Sequence, residues 1–243
     1  MPRLYCPLPL LPGQTLALPA GAARHVQVLR MQPGQALVLF NGQGGQFAAQ
    51  IVRMGRSDVE VVVGEHSPLE CEAPRAVHLL CGLMANERMD WLVEKATELG
   101  AASLWPLQLS RSVLRLQGER AQRRQAHWQA VAQAAAEQCG RNRLPPVHEI
   151  SALAPALAQA AGFRAVLSLE DDAVPLGQQA LPADAPAWLL SGPEGGLTEA
   201  EEAQARAQGF VPVRLGPRVL RAETAPLAAL AWLAGDLAGP PRA

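Results

Sequence analysis

The sequence predicts an α/β protein: a small β domain over residues 1–70, then a larger domain over residues 75–243 built on a mainly parallel sheet. Three observations predict it. Short apolar runs separated by Pro and Gly fill the N-terminal part. From Arg75 onward, apolar runs alternate with stretches of helical periodicity, the pattern of βα units with helices on both sheet faces. Late in the chain, two glycine-bearing corners each follow an apolar run and precede a helical one.

In the N-terminal domain, 3–6, 15–18, 36–40, 46–52 and 59–63 are predicted strands, with Asn41-Gly42 as a hairpin signal between two of them. Only 25–31 has helical character there. Ser67 to Pro74, bounded by two prolines, reads as the linker. Next comes a strand at 76–83. Asn86 is then placed to cap a helix with Met89, Leu92, Val93, Ala96 and Leu99 on one face, stopped by Gly100. A strand at 103–107 leads to a long helix from about 117 to 139, ending at Gly140. A short strand at 147–150, an Ala-rich helix at 151–161 and a strand at 164–169 follow. Strand 187–190 precedes a helix at 199–208 closed by Gly209. The chain then runs through strand 210–215 to a helix at 225–237. From Pro226 to Ala234 that last helix has no charged or polar residue, so it needs cover on every side, from the sheet and from another helix or a second subunit.

Composition excludes several classes. With 49% hydrophobic and 18% charged residues, the 243-residue chain has the balance of a globular protein. A net charge of −1 excludes a surface that coats polyanions wholesale, but permits a local basic patch. No apolar stretch approaches the roughly 18 residues of a membrane span. Prolines at 2, 7, 9 and 12 are incompatible with a signal-peptide helix. Cys6, Cys71, Cys81 and Cys139 form no C-x-x-C pair, so reduced thiols in a cytoplasmic protein are expected and no metal. The histidines at 25, 66, 78, 127 and 148 form no H-x-x-H pattern, and His78, within a strand, reads as a core histidine. No G-x-S-x-G elbow is present.

The candidate chemistry lies in the two corners. Ser191-Gly-Pro-Glu-Gly-Gly-Leu-Thr198 joins an apolar strand to a helix whose Thr198 and Glu201 have capping-box spacing. Gly192, Gly195 and Gly196 let backbone approach a ligand, and Pro193 stiffens the turn. Glu194 and the acidic first helical turn (Glu199, Glu201, Glu202) oppose a polyphosphate. A net positive or zwitterionic ligand fits better, S-adenosylmethionine being one such molecule. The second corner, Leu215-Gly-Pro-Arg-Val-Leu-Arg-Ala-Glu-Thr-Ala225, places Arg218, Arg221 and Glu223 before a helix that Thr224 could cap. Between Ser103 and Val147, seven arginines, among them Arg111 and Arg141, face two glutamates, and Arg3, Arg24, His25 and Arg30 form a smaller cluster. Both groups point to phosphate contacts that position a nucleic acid.

With these residues assembled, the sequence resembles the RsmE-type family of SPOUT methyltransferases, which methylate N3 of a uridine in 16S (small-subunit) ribosomal RNA. The resemblance runs in order through Arg3-Leu-Tyr, His25 to Arg30, Arg88-Met-Asp-Trp-Leu-Val-Glu-Lys-Ala-Thr-Glu-Leu-Gly100 and Ser110-Arg-Ser112. It continues through Ala136-Glu-Gln-Cys-Gly-Arg141, Gly192-Pro-Glu-Gly-Gly196 with Glu201, and Leu215 to Ala225. It implies an N-terminal PUA-like β-barrel that binds RNA and a C-terminal SPOUT-type parallel-sheet domain tied as a trefoil knot. S-adenosylmethionine would be held by Leu190, Gly192, Pro193, Gly195, Gly196, Leu215, Gly216, Leu220, Thr224 and Ala225. A homodimer is also implied, with ribosomal RNA, in the 30S particle, as substrate; the basic clusters themselves make Arg3, Arg24, Arg30, Arg111 and Arg141 the expected RNA contacts. Ala85-Asn86-Glu87 departs from the Lys-Gly that relatives often carry, and Gln133-Ala134 from their acidic residues.

The implied reaction moves the sulfonium methyl to uracil N3, which must lose its proton. In it Arg221 would stabilise charge on a uracil oxygen, Glu223 would orient that arginine or accept the proton through water, and Glu194 is the alternative base. Two rival readings stay open: a SPOUT enzyme acting on a ribose 2′-hydroxyl, and a non-catalytic RNA-binding assembly factor that keeps the fold.

Overall fold

A computed structural model describes residues 1–182 and 185–235 of the chain. They form two compact units: Met1–Glu72 with Ala136–Leu144, and Ala73–Ala135 with the chain from Pro145 onward. The chain thus passes between units three times, where the sequence reading had a single linker. Nothing in the composition of 136–144 marks that excursion. Polar contacts hold it within the N-terminal unit. Glu137 Oε1 accepts the Tyr5 N–H (3.0 Å), and Asn142 donates to the Leu69 carbonyl (2.6 Å) and accepts from Arg3 (2.6 Å).

That unit carries β1 (Arg3–Tyr5), β2 (Thr15–Ala17), β3 (Ala36–Phe40), β4 (Gln46–Met54) and β5 (Val59–Ser67), in the order β1-β3-β4-β5-β2. β1 pairs with β3 in parallel and the other pairs are antiparallel. Strict alternation sends Phe47, Ala49 and Ile51 of β4, and Val59, Val61 and Val63 of β5, into one core. Each such Phe, Ile or Val side chain contributes roughly 1.5–3 kcal/mol on burial. The hairpin signal at Asn41-Gly42 sits between β3 and β4, where Asn41 Oδ1 accepts the Gln43 N–H (3.0 Å) and Gly42 takes φ 84°.

The helix expected at 25–31 runs instead from Ala20 to Val28 (α1). Pro19 sets its start, since a missing N–H costs nothing at a helix N-terminus. Its end is a Schellman turn: Met31 N–H bonds the Val26 carbonyl (3.2 Å) and Arg30 N–H the Gln27 carbonyl (3.0 Å). Arg30 takes the left-handed position there, at φ 54°, where glycine is usual.

The second unit carries a six-stranded sheet in which every pairing is parallel: β6 (Val77–Gly82), β7 (Ser103–Leu107), β8 (Phe163–Leu167), β9 (Val174–Pro175), β10 (Ala187–Ser191) and β11 (Val211–Arg214). The order is β7-β6-β10-β8-β11-β9. β9 had no counterpart in the sequence reading, and the short strand at 147–150 is reduced to isolated bridges of Val147 with Leu104 and Ser151 with Leu107.

Helices α2 (Asn86–Glu98), α3 (Gly118–Cys139), α4 (Leu153–Leu157), α5 (Glu199–Ala207) and α6 (Thr224–Ala234) complete the set. Gly100 and Gly209, at φ 88° and 81°, close α2 and α5 as expected. Three expectations are corrected. Asn86 is the first residue of α2 rather than its cap, a place taken by Ala85. α4 stops at Leu157, because Gln159 and Ala160 bond three residues back and tighten the chain into a turn. Thr224 opens α6 without capping it, the cap position being Glu223. Residues 236–237 of the expected last helix lie outside the described residues. α6 packs against β6, β10 and α2 and leaves Trp232 45% exposed.

Candidate active site

The carboxyl ends of the three adjacent strands β8, β10 and β11 open onto one cleft of about 380 Å³. Both glycine corners line it, joined by Ser168, Leu169 and Glu170 after β8. This is where an open parallel sheet gathers ligands, because loops turning in different directions leave a crevice.

The first corner is locked by close approach. A Cβ on Gly192 would lie 2.7 Å from the Gly196 backbone carbon, and one on Gly82, at the end of β6, 2.6 Å from the Pro193 nitrogen. Neither position tolerates a side chain unless backbone moves. Gly196 has φ 72°, and its N–H closes a turn onto the Pro193 carbonyl (2.8 Å). Beyond it, the expected capping box is present. Thr198 Oγ1 accepts from the Glu201 amide (3.2 Å), and Glu201 Oε2 from the Thr198 amide (2.9 Å).

Glu201 also accepts the Ser110 N–H (2.8 Å), which ties the loop after β7 to the start of α5. Burial alone would push its carboxyl up. Hydrogen bonds from the Ser110 and Thr198 amides outweigh that and hold it below the ordinary carboxylate value. Arg115 braces the same loop through the Leu109 (3.0 Å) and Ser110 (2.6 Å) carbonyls. Arg111 then spans to the glycine corner, donating to the Gly195 and Leu197 carbonyls at 3.0 Å each.

Of the residues expected to hold a cofactor, Gly192, Pro193, Gly195, Gly196, Leu215, Gly216, Leu220 and Ala225 line the cleft. Leu190 does not: it packs into the apolar core of β10. Thr224 is also outside the lining, being taken into α6. Of the expected catalytic residues only Glu194 lines it. Arg221 is exposed beside it, and Glu223 is 9% exposed. Glu223 is paired with Arg88 of α2 at 4.0 Å, and no ion pair joins it to Arg221 among the described residues.

The RNA-contact expectation also divides. Arg24 and Arg30 are exposed on the N-terminal unit. Arg3 is partly buried and bonds Gln46 and Asn142. Arg141 is 3% exposed and paired with Glu72, an internal strut with no surface to offer a phosphate. Arg111 is exposed, yet its guanidinium is committed to the glycine corner.

Sequence reasoning missed two parts of the site. One is the segment after β8, whose only signal is its place at a strand's carboxyl end. The other is Arg88, which sits on a helix remote in sequence from both its partners. His78 is half-buried away from the cleft, bonded to Ser103 (2.7 Å) and stacked on Trp188 at 4.3 Å; burial, then nearby His148, pushes its imidazole below its usual value. Among the described residues no group of three or more His, Cys, Asp or Glu is arranged to hold a metal ion, and no helix is long and apolar enough to cross a membrane.

Comparison with known proteins identifies the architecture. Residues 71–234 match the family model of the RNA methyltransferase domain, and residues 18–64 that of the RNA methyltransferase PUA domain. The crystal structure of a ribosomal RNA small subunit methyltransferase E from Neisseria gonorrhoeae, bound to S-adenosyl methionine, superposes with a TM-score of 0.91 at 38% identity, covering 96% of each chain. The protein of the same name from Bacillus subtilis is 32% identical over 84% of this chain and 83% of its own length. That of Mycobacterium tuberculosis is 35% identical over 84% of this chain and 79% of its own. The fold is therefore a PUA-like β domain with a SPOUT-type parallel α/β domain. The chain belongs to the RNA methyltransferase family that includes the ribosomal RNA small subunit methyltransferases E.

Proposed function

We infer that the protein uses S-adenosylmethionine to methylate small-subunit ribosomal RNA, at N3 of one uridine. The observation that carries this reading is the shared cleft. Two glycine corners of a methyltransferase fold meet there, and Glu170, Glu194 and Glu202 are all in its lining. Arg111, Arg214 and Arg218 stand in the same lining, so carboxylates and guanidiniums are mixed there, which suits a zwitterionic ligand with a sulfonium, an ammonium and a carboxylate. Leu215, Leu220 and Ala225 would supply the apolar wall. When bound, the cofactor supplies an electrophilic methyl group.

The chain's own tasks are positional and electrostatic. Uracil N3 is a weakly acidic imide, so transfer favours an environment that stabilises negative charge on the base. Arg218, in the cleft lining, and Arg221 beside it are exposed on the second corner and present guanidinium groups where a base would enter. Arg221 is assigned to the uracil oxygen and Arg218 to a flanking phosphate. N3 lies on the Watson–Crick edge, so the uridine must be unpaired or extruded before it reaches the cleft. Arg24 and Arg30 would guide RNA on the N-terminal unit.

A homodimer accounts for one further feature. Trp91 of α2 and Trp232 of α6, on two helices that pack together, are 44% and 45% exposed, apolar area that a second subunit would cover. The natural setting is the cytoplasm, with the 30S particle as substrate.

The decisive experiment incubates the protein with labelled S-adenosylmethionine and 30S particles lacking the modification, then locates the label by mass spectrometry. A methyl on uracil N3 is the expected result. A methyl on a ribose 2′-hydroxyl would replace the base assignment, and cofactor binding without transfer would replace the enzyme with an assembly factor.

A further inference from the structure

Behind the cleft, one cation serves two carboxylates. Arg88, in the first turn of α2, places Nη1 3.3 Å from Glu194 Oε1 and Nε 4.0 Å from Glu223 Oε2. Glu194 belongs to the first corner and Glu223 to the end of the second. Among the described residues no other cation lies within 4.0 Å of either carboxylate. Glu194 Oε1 also accepts the Ala85 N–H (2.9 Å), at the cap position where α2 begins. Glu194 Oε2 and Glu223 Oε2 are buried and accept no hydrogen bond.

Such a cluster is costly unless it does something. A carboxylate taken partly out of water needs partners to replace its hydration, and here two of them, with side chains 20% and 11% exposed, share one guanidinium, with the Ala85 amide as the further donor to Glu194. Beyond Arg88 and the Ala85 amide, the charged groups on the neighbouring elements are engaged elsewhere or exposed. α6 has no titratable residue. On α2, Glu87 is exposed and Asp90 is engaged by His127 (2.9 Å) and Trp128 (3.0 Å). On the corners, Arg111 is held by carbonyls, while Arg218 and Arg221 are exposed.

We propose that Arg88 is a positioning residue: it fastens the two cofactor-binding corners to each other and to the start of α2, setting the width of the cleft before the cofactor arrives. Without it, two like charges would stand near one another, partly shielded from water, and the corners would part. The gain is preorganisation, since a cleft already at its binding width loses less order when occupied. The proposal rests on the reading of the cleft as the S-adenosylmethionine site.

The test is calorimetric titration of S-adenosylmethionine into the cofactor-free full-length protein and its variants. At about pH 8, Arg88→Met should weaken binding about tenfold or more, and Arg88→Lys should recover much of that loss. Arg88→Met/Glu223→Gln should bind better than Arg88→Met alone, because removing one negative charge replaces the missing positive one. A residue that merely filled space would show neither the recovery by lysine nor the rescue by Glu223→Gln. Wild-type affinity in Arg88→Met, or a double variant no better than the single, overturns the proposal. If Arg88→Met does not fold, recovery of folding and binding in the double variant supports the proposal, and failure of both overturns it. Absence of binding to the wild-type protein would instead refute the cofactor assignment.

Discussion

The two glycine corners have the same layout, strand to turn to helix, and opposite mechanical characters. The first is gripped on all sides. Pro193 presses on Gly82, Arg111 bonds two of its carbonyls, and a completed capping box closes its far end. The second is anchored only near its end, where Glu223 is buried. Gly216, Arg218, Val219 and Arg221 are exposed, and a Cβ on Gly216 would meet nothing within 4 Å. The contrast assigns labour. A loop held by its neighbours can define a small-molecule pocket, while one with few buried contacts can adjust to a large substrate.

The sharpest way to break this comparison is Gly192→Ala. Its new Cβ would stand 2.7 Å from backbone that is itself pinned, so the turn must open. Cofactor affinity should fall by about a hundredfold or more, roughly 2.7 kcal/mol, as read by calorimetry. A near-normal dissociation constant would show that the first corner is not the rigid partner. Arg221→Ala should do the reverse. Cofactor binding should stay within about twofold, while turnover on saturating 30S substrate drops about a hundredfold, the size of one lost oxyanion-type donor.

Glu201→Gln tests how the first corner is held. The substitution removes the charge that accepts the Ser110 and Thr198 amides, and should cost about 1–2 kcal/mol of stability in denaturant unfolding at neutral pH. Because the folded protein holds this carboxyl below its ordinary value of 4.5, the contribution is complete above that value and is lost as pH falls through the depressed one. The wild-type and variant curves should therefore converge in acid. A gap that persisted there would place the effect in packing rather than charge.

Arg111 shows where sequence reading reaches and where it stops. Strand–turn–helix order, the capping box and the helix-closing glycines are local signals, set by neighbouring residues, and both corners were legible from them. The RNA role given to Arg111 and Arg141 came from charge and loop position alone, which cannot reveal that a guanidinium is spent on a carbonyl or on Glu72. The pairing of Arg88 was invisible for the same reason: its partners, Glu194 and Glu223, are brought to it only by the fold. The segment after β8 carried no glycine to mark it, although every strand end on that edge was a candidate once the sheet was parallel. Arg111→Ala should accordingly weaken cofactor binding about five- to tenfold as well as RNA binding, since two charge-assisted hydrogen bonds to the first corner are lost. Loss of RNA affinity alone would restore the simpler reading.

The smallest effect is expected at Gly216, and it sharpens the comparison most. Gly216 has φ 104°, a conformation that L side chains rarely adopt, so Gly216→Ala carries strain of about 1–3 kcal/mol if the backbone holds still. No steric wall enforces that, and the residues around it are exposed, so the loop can relax and shed most of the cost. The expected result is a shift of about two- to fivefold in cofactor dissociation, far below that of Gly192→Ala, with an unfolding midpoint close to wild type. Two glycines of similar sequence context would then differ in consequence because one is enclosed by backbone and the other is not. If Gly216→Ala proved as damaging as Gly192→Ala, the second corner would have to be rigid as well, and its adjustment to RNA would have to come from Arg218 and Arg221 side chains moving on a fixed turn.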